Sequence, residues 1–283
     1  MNGGVMMDRG FQRRIASGFP YPIAVSFKRI NTADAIKSDE IKLYRILSAA
    51  EVIAVFLGSI VLCECREMVE KTKCRPSENL SGDILRKINK PSFGSWIFFV
   101  REGLRWINAN DFEPTVNDLR DFYFKKKNRE SDSAVSLNKL VEIRNNLEHG
   151  GLKNATPNEL RMLCGETFGH LSIILQALDF LESYMLFYAK PIQVDKRRLK
   201  KPNFLHTLNL LVGESDELSA EDRDFPDPTE SNDVILLHEL DNKFLNLTPF
   251  IVYEEYAVNN RDLFYYNGNE DIERQKITYA PFK

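Results

Sequence analysis

Histidine, cysteine and tryptophan are scarce in this chain of 283 residues, with four, four and two copies. Four cysteines do not make a disulfide scaffold of this length, and Cys63-x-Cys65 leaves one residue where a zinc hairpin wants two to four. Cys74 could add a third ligand, but reduced thiols are the simpler reading, and no metal or other cofactor is expected. Residues 1–18 hold no apolar core of the length a secretory leader needs, so a cytoplasmic protein is expected. There is no Gly-x-Gly-x-x-Gly, no phosphate loop ending in Lys-Ser/Thr, no His-Glu-x-x-His and no Gly-x-Ser-x-Gly. The usual dinucleotide, P-loop, zinc-protease and serine-hydrolase chemistries therefore lack their carriers.

A bias to one charge is also missing. Lys and Arg number 38 against 41 Asp and Glu, for a net charge of −3, and 43% of residues are hydrophobic. Such a composition excludes disorder and fibrous repeats and leaves ample apolar side chain for a core. The balance is uneven along the chain. Residues 1–190 carry 27 basic and 23 acidic side chains, whereas residues 191–283 carry 11 and 18. The front part can approach a polyanion more easily than the tail.

One long hydrophobic run exists, ILSAAEVIAVFLGSIVLC over 46–63. It is 18 residues, at the short limit for a bilayer span, and it contains Glu51. A buried helix of a bundle fits better, and no membrane partner is expected. Glu51 is costly to bury alone, so it needs a partner; Arg144, from a neighbouring helix, is one candidate.

Residues 1–38 read as an irregular arm, with prolines 20 and 22 marking an extended entry. A long helix starts near Ser38, a fair N-cap, and runs to about Lys71. Further helices are expected over 81–88, from Pro91 through Ile107, and from Glu113-Pro114 through Tyr123 into Lys125–Arg129. A fifth spans Ser136–His149, stopped by Gly150-Gly151. A sixth starts at Thr156-Pro157-Asn158-Glu159 and reaches about Tyr184.

Beyond residue 187 the pattern is strand-like. Strands are expected over 185–194 and 204–212 around a basic turn, Lys196–Lys201. Five shorter ones, separated by Asp241-Asn242, Asn259-Asn260 and Asn267-Gly268, follow an acidic exposed loop over 214–233. The expected fold is α+β: an all-α bundle of about six helices (39–187), then a small antiparallel β domain (188–283).

Chemistry must come from few residues. His170 lies in an apolar helix, and His206 and His238 lie in strands, where packing explains each. His149 differs, because it ends the segment Val141-Glu-Ile-Arg-Asn-Asn-Leu-Glu-His-Gly-Gly151. Leu140, Ile143 and Leu147 form the core stripe of that helix, leaving Arg144, Asn145 and Glu148 on another face. At about 100° per residue, Arg144 and His149 point about 140° apart. A shared site then needs freedom at the helix end or a second copy of the helix. Without further context, these residues could be ordinary surface with a cation at a helix C-terminus.

Arg144-Asn145-x-x-x-His149 followed by Gly-Gly resembles the Arg-x4–6-His signature of the HEPN superfamily of all-α domains, in which a polar residue, often Asn, follows the arginine. The helix order is similar, and so are the segments Phe19-Pro-Tyr-Pro-Ile-Ala24 and Pro91-Ser-Phe-Gly-Ser-Trp96, which look like those of HEPN proteins in bacterial defence and toxin loci. The resemblance covers about residues 20–187 and leaves the strand-rich tail outside.

It implies a metal-independent endoribonuclease with RNA as substrate, a homodimer whose two motifs line one cleft, and an antitoxin or defence-system partner. His149 would be the general acid/base, Arg144 the stabiliser of the phosphorane, and Asn145 an orienting group. Imidazole can move protons near neutral pH without a metal, and guanidinium can hold two phosphate oxygens at once. Glu148 and Glu51 are possible auxiliaries. Lys125, Lys126, Lys127 and Arg129 could track an RNA backbone, although a solvated turn also accounts for them. A non-catalytic HEPN-like dimerisation, adaptor or nucleotide-sensing module is the alternative.

Overall fold

The computed structural model describes residues 7–151, 155–196, 198, 202–214, 219–225, 228–240, 243–257, 260–271 and 276–282. It is an α+β protein with its helices mostly N-terminal and its strands C-terminal, in antiparallel sheets.

Of the expected irregular arm over 1–38, residues 1–6 lie outside the described residues, and the rest is not irregular: it forms α1 (Arg9–Gly18), α2 (Tyr21–Ile30) and α3 (Ala33–Lys37). The Asp8 carboxylate accepts the Phe11 N–H at 2.9 Å to cap α1. Pro22 lies in the first turn of α2, where the N–H it lacks would have no helical partner. Pro22 thus marks a helix start, whereas Phe19 and Pro20 form the extended entry before it, with Pro20 bridged to Val212. Ile23, Phe27 and Ile30 then bury one side of α2.

Helix α4 (Asp39–Thr72) is the centre of the molecule. Ser38 caps it as expected, its hydroxyl accepting the Ile41 N–H. Its apolar stretch is long enough to cross a membrane, and 89% of that window is buried inside the protein. Next come α5 (Glu78–Ile88) and α6 (Phe93–Ala109). Helices α4 and α6 approach closely because glycine faces each contact. A Cβ at Gly58 would lie 2.7 Å from the Trp96 ring, and one at Gly103 would lie 2.3 Å from Val61 Cγ1.

The helix expected from Glu113 to Arg129 is replaced by a short α7 (Leu119–Tyr123) and a hairpin, β1 (Phe124–Lys125) with β2 (Arg129–Glu130). Phe122, Tyr123 and Phe124 are all buried. The first two end α7 and the third begins β1. Helix α8 (Asp132–Glu148) starts at the Ser131 cap, and α9 (Pro157–Ala177) starts with a capping box between Thr156 and Glu159. A 3-10 turn over Asp179–Ser183 ends the helical part.

Strands β3 (Tyr184–Asp195), β4 (Asn203–Leu210), β5 (Ala220–Phe225), β6 (Val234–His238) and β7 (Phe244–Asn246) form one sheet, in the order β5-β4-β3-β6-β7. Strands β8 (Ile251–Ala257), β9 (Asn260–Asp271) and β10 (Lys276–Pro281) form another, in the order β10-β9-β8. Strand β5 lies in the segment read as an exposed loop, anchored by buried Phe225. The basic turn at 196–201 lies mostly outside the described residues, as do Asp241-Asn242 and Asn259. Asn267-Gly268 is no turn. It lies within β9, where Gly268 (φ +115) passes so close to the Asn89 carbonyl that a Cβ would be 2.6 Å away.

The expected boundary at residues 187/188 falls inside β3, and period-2 alternation shows why the sheet belongs with the helices. Tyr184, Leu186 and Tyr188 of β3 and Val234 and Leu236 of β6 join the core built by α2, α4, α6, α8 and α9. Phe187, Ala189, Ile235 and Leu237 point the other way, into a second cluster under β4 and β5. The Arg66 guanidinium of α4 donates to the carbonyls of Asn246 and Thr248, fixing the β7–β8 connection to the central helix.

Candidate functional site

Helix α8 carries the Arg-Asn-x-x-x-His segment and is held at both ends. At its start Ser131 accepts the Ala134 N–H, and the Ser131 and Ser133 hydroxyls both donate to the Phe122 carbonyl. Ala134, Leu137, Leu140 and Ile143 bury one face. At its end, Gly150 takes φ +90. The Gly150 N–H donates to the Leu147 carbonyl and the Gly151 N–H to the Asn146 carbonyl, both at 3.0 Å. These two bonds make the glycine-terminated helix end that the sequence signals. His149 is the last half-helical residue, its N–H donating to the Asn145 carbonyl. Its backbone is therefore fixed rather than loose.

Arg144 points inward, toward α4. Its Nη1 donates to Glu51 Oε1 at 3.0 Å, and its Nη2 lies 3.3 Å from Glu148 Oε1. Burial pushes the Glu51 carboxyl above its usual range, and the neighbouring Arg144 charge pulls it back. The partner that Glu51 needs is thus Arg144. Glu148 is turned to the same guanidinium, so it is neither merely solvated nor bonded to His149. Tyr44, Leu47, Ser48, Glu51, Arg144, Leu147 and Glu148 line an open bay of about 360 Å³.

Asn145 and His149 lie outside this cluster. Both are exposed, and among the described residues neither side chain has a hydrogen-bond partner. Within one chain the structure brings Glu51, Arg144 and Glu148 together and leaves the imidazole and the Asn145 amide free to meet something else.

The sequence reading missed Tyr265 of β9. Burial raises its phenol above the usual value, and the next influences are the charges of Glu51, which raises it, and Arg144, which lowers it. The second sheet therefore carries a hydroxyl into the field of the ion pair. The only sequence signal was a tyrosine pair in a strand.

The remaining histidines are packed. Burial lowers the His170 pKa, and its Nδ1 lies 3.3 Å from Ser136 Oγ. His206 is buried, with Nδ1 2.9 Å from the Phe204 carbonyl and Nε2 accepting the Thr229 N–H. The His238 ring lies tilted at 32° against that of Tyr184, with centroids 4.7 Å apart. Burial pushes the thiols of Cys63 and Cys65 up to about 12, which leaves them protonated at neutral pH. Among the described residues no three His, Cys, Asp or Glu side chains are grouped to hold a metal ion. Lys125, Lys126, Lys127 and Arg129 lie on the β1–β2 hairpin, at the far end of α8 from Arg144.

No protein-family model, curated protein or solved structure matches the chain.

Proposed function

We propose that this protein is a metal-independent endoribonuclease of the HEPN type, acting as a cytoplasmic homodimer in a toxin or antiphage-defence role. On this reading α4 to α9 form the HEPN-like bundle. The observation that carries it is the capped end of α8, which holds an exposed imidazole, without a partner among the described residues, five residues beyond a guanidinium anchored in an open bay.

In the proposed reaction one His149 takes the proton of an RNA 2′-hydroxyl. The 2′ oxygen attacks the adjacent phosphorus, and Arg144 stabilises the charge that grows on the phosphoryl oxygens. The P–O bond to the 5′ oxygen breaks, and the partner subunit's His149 protonates that oxygen. The products are a 2′,3′-cyclic phosphate and a 5′-hydroxyl. One imidazole cannot easily serve both sides of an in-line displacement, so the chemistry asks for two. Glu51, desolvated and closer, keeps the guanidinium aimed; Glu148, exposed and at 3.3 Å, is the carboxylate a phosphate would displace. Asn145, exposed beside Arg144, would orient the phosphate.

The test is to incubate the protein with RNA in EDTA beside Arg144→Ala and His149→Ala variants. Chelator-resistant cleavage that both substitutions abolish supports the mechanism. Chelator-sensitive cleavage, or full activity in both variants, rejects it.

One observation favours a second reading. Arg144 already has two carboxylates within 3.3 Å, as a purely structural cation would. A non-catalytic dimerisation or sensing module would give no cleavage product and would dimerise or bind its partner normally after either substitution.

A further inference from the structure

The cationic segment read as a helix end or a solvated turn has a built geometry. The β1–β2 hairpin pairs Phe124 with Glu130 and Lys125 with Arg129. Its tip is the three-residue turn Lys126–Asn128, in which Lys127 and Asn128 take successive positive φ values, +65 and +54, and reverse the chain. The reversal splays Lys125, Lys126, Lys127 and Arg129 around a concavity of about 590 Å³, to which α7 adds Arg120. Asp121 is the one acidic side chain in that lining. Lys125 is paired to Asp132 at 2.7 Å, outside the concavity. Among the described residues, Arg120, Lys126, Lys127 and Arg129 have no ion pair.

Four cations without an ion pair surround one concavity and repel each other, and Asp121 is the one carboxylate of its lining that offsets the cost. No buried donor closes over a single phosphate, because residues 125–129 are all exposed. The arrangement suits a chain of phosphates rather than one phosphate group. Its place matters too. Arg144 lies 12 residues beyond Asp132, the first residue of α8, which puts the hairpin about 18 Å from the Arg144 bay along the helix axis.

We propose that the β1–β2 hairpin, with Arg120, is an anchoring site for the phosphodiester backbone of single-stranded RNA, remote from the bond to be cut. This rests on the ribonuclease reading for its biological meaning, but its test does not depend on cleavage.

The probe is a labelled 20-nucleotide oligouridine with 2′-O-methyl groups, which cannot be cleaved by 2′-hydroxyl attack. It is titrated into the full chain at several salt concentrations. Contacts to four phosphates predict that log Kd changes with log salt with a slope of about 3. The triple variant Lys126→Ala, Lys127→Gly, Arg129→Gln removes three charges, and glycine suits the positive φ at position 127. It should bind at least tenfold more weakly near 0.1 M salt, with the slope reduced to about 1. Thermal unfolding checks that the variant folds. Lys139→Ala, which removes a cation on α8 already paired to Glu142, should leave binding unchanged. Wild-type affinity and slope in the triple variant would overturn the proposal. So would an equal loss in Lys139→Ala, or a loss confined to phosphatidylserine vesicles. His149→Ala, which ends cleavage if the ribonuclease reading holds, should bind the probe like wild type, so either claim can fail alone.

Discussion

The Arg144 guanidinium of α8 donates to the Glu51 carboxylate of α4 at 3.0 Å, and both side chains are about 70% covered. The residue best placed to stabilise a phosphorane is therefore also a strut between two helices. Arg144→Ala should lower stability by about 1–2 kcal/mol, because it leaves a desolvated carboxylate unpaired. Removing both partners, as Arg144→Ala with Glu51→Ala, should recover part of the loss. Urea titrations of the four proteins in the cycle measure the coupling. Additive losses would show that the pair does not hold the helices together.

Glu64 gives the fold a pH dependence unlike that of an ordinary carboxylate. It is 1% exposed; Oε1 accepts the Val116 N–H at 2.9 Å, while Oε2 has no partner among the described residues. Burial raises its pKa to about 7, only partly offset by the N–H groups of Val116 and Thr115. In the unfolded chain it titrates in the usual carboxylate range. Its stabilisation is then full below about pH 4.5 and is lost as pH rises through about 7, for about 3 kcal/mol at most. Glu64→Gln keeps the acceptor for Val116 and cannot ionise, so its stability should fall less between pH 5 and pH 8. Denaturation curves at pH 5, 6, 7 and 8 compare the two slopes, and parallel profiles would rule the effect out.

The α4–α6 contact allows a size-swap test. Gly103→Ala places a methyl 2.3 Å from Val61 Cγ1 and 3.3 Å from Cys65 Sγ. The loss should be about 1–3 kcal/mol, since a packed interior yields little. Val61→Ala opens that space, so the double variant should be more stable than the sum of the single losses allows. Strict additivity would mean that the helices separate instead.

Much of this was legible in the sequence where local chemistry and long-range packing agree. Ser38 and Thr156 announce helix starts, Gly150 a helix end, and a lone glutamate in an apolar run needs a cation. The failures came where one residue has two meanings. Pro22 signals either an extended strand or the first turn of a helix, and only the burial of Ile23 and Phe27 decides. Lys125–Asn128 are good helix formers in three of four positions, yet the chain reverses there through positive φ at Lys127 and Asn128 and pairs Lys125 with Arg129. Tyr265 was invisible because no local pattern relates a strand near the C-terminus to residues 51 and 144.

His149 separates chemistry from stability most cleanly. Its side chain is exposed and without a partner among the described residues, and its backbone bond to Asn145 does not depend on the ring. His149→Ala should leave urea stability within about 0.5 kcal/mol of wild type while reducing RNA cleavage by about 10² to 10⁴. Mixing exploits the need for two imidazoles. If both must line one cleft, a dimer of one wild-type and one His149→Ala chain is inactive. An equal mixture, allowed to exchange subunits, then keeps about a quarter of the wild-type activity per total chain. Independent sites would keep half. Activity following the wild-type fraction linearly would place each imidazole in its own complete site and remove the reason for a dimer.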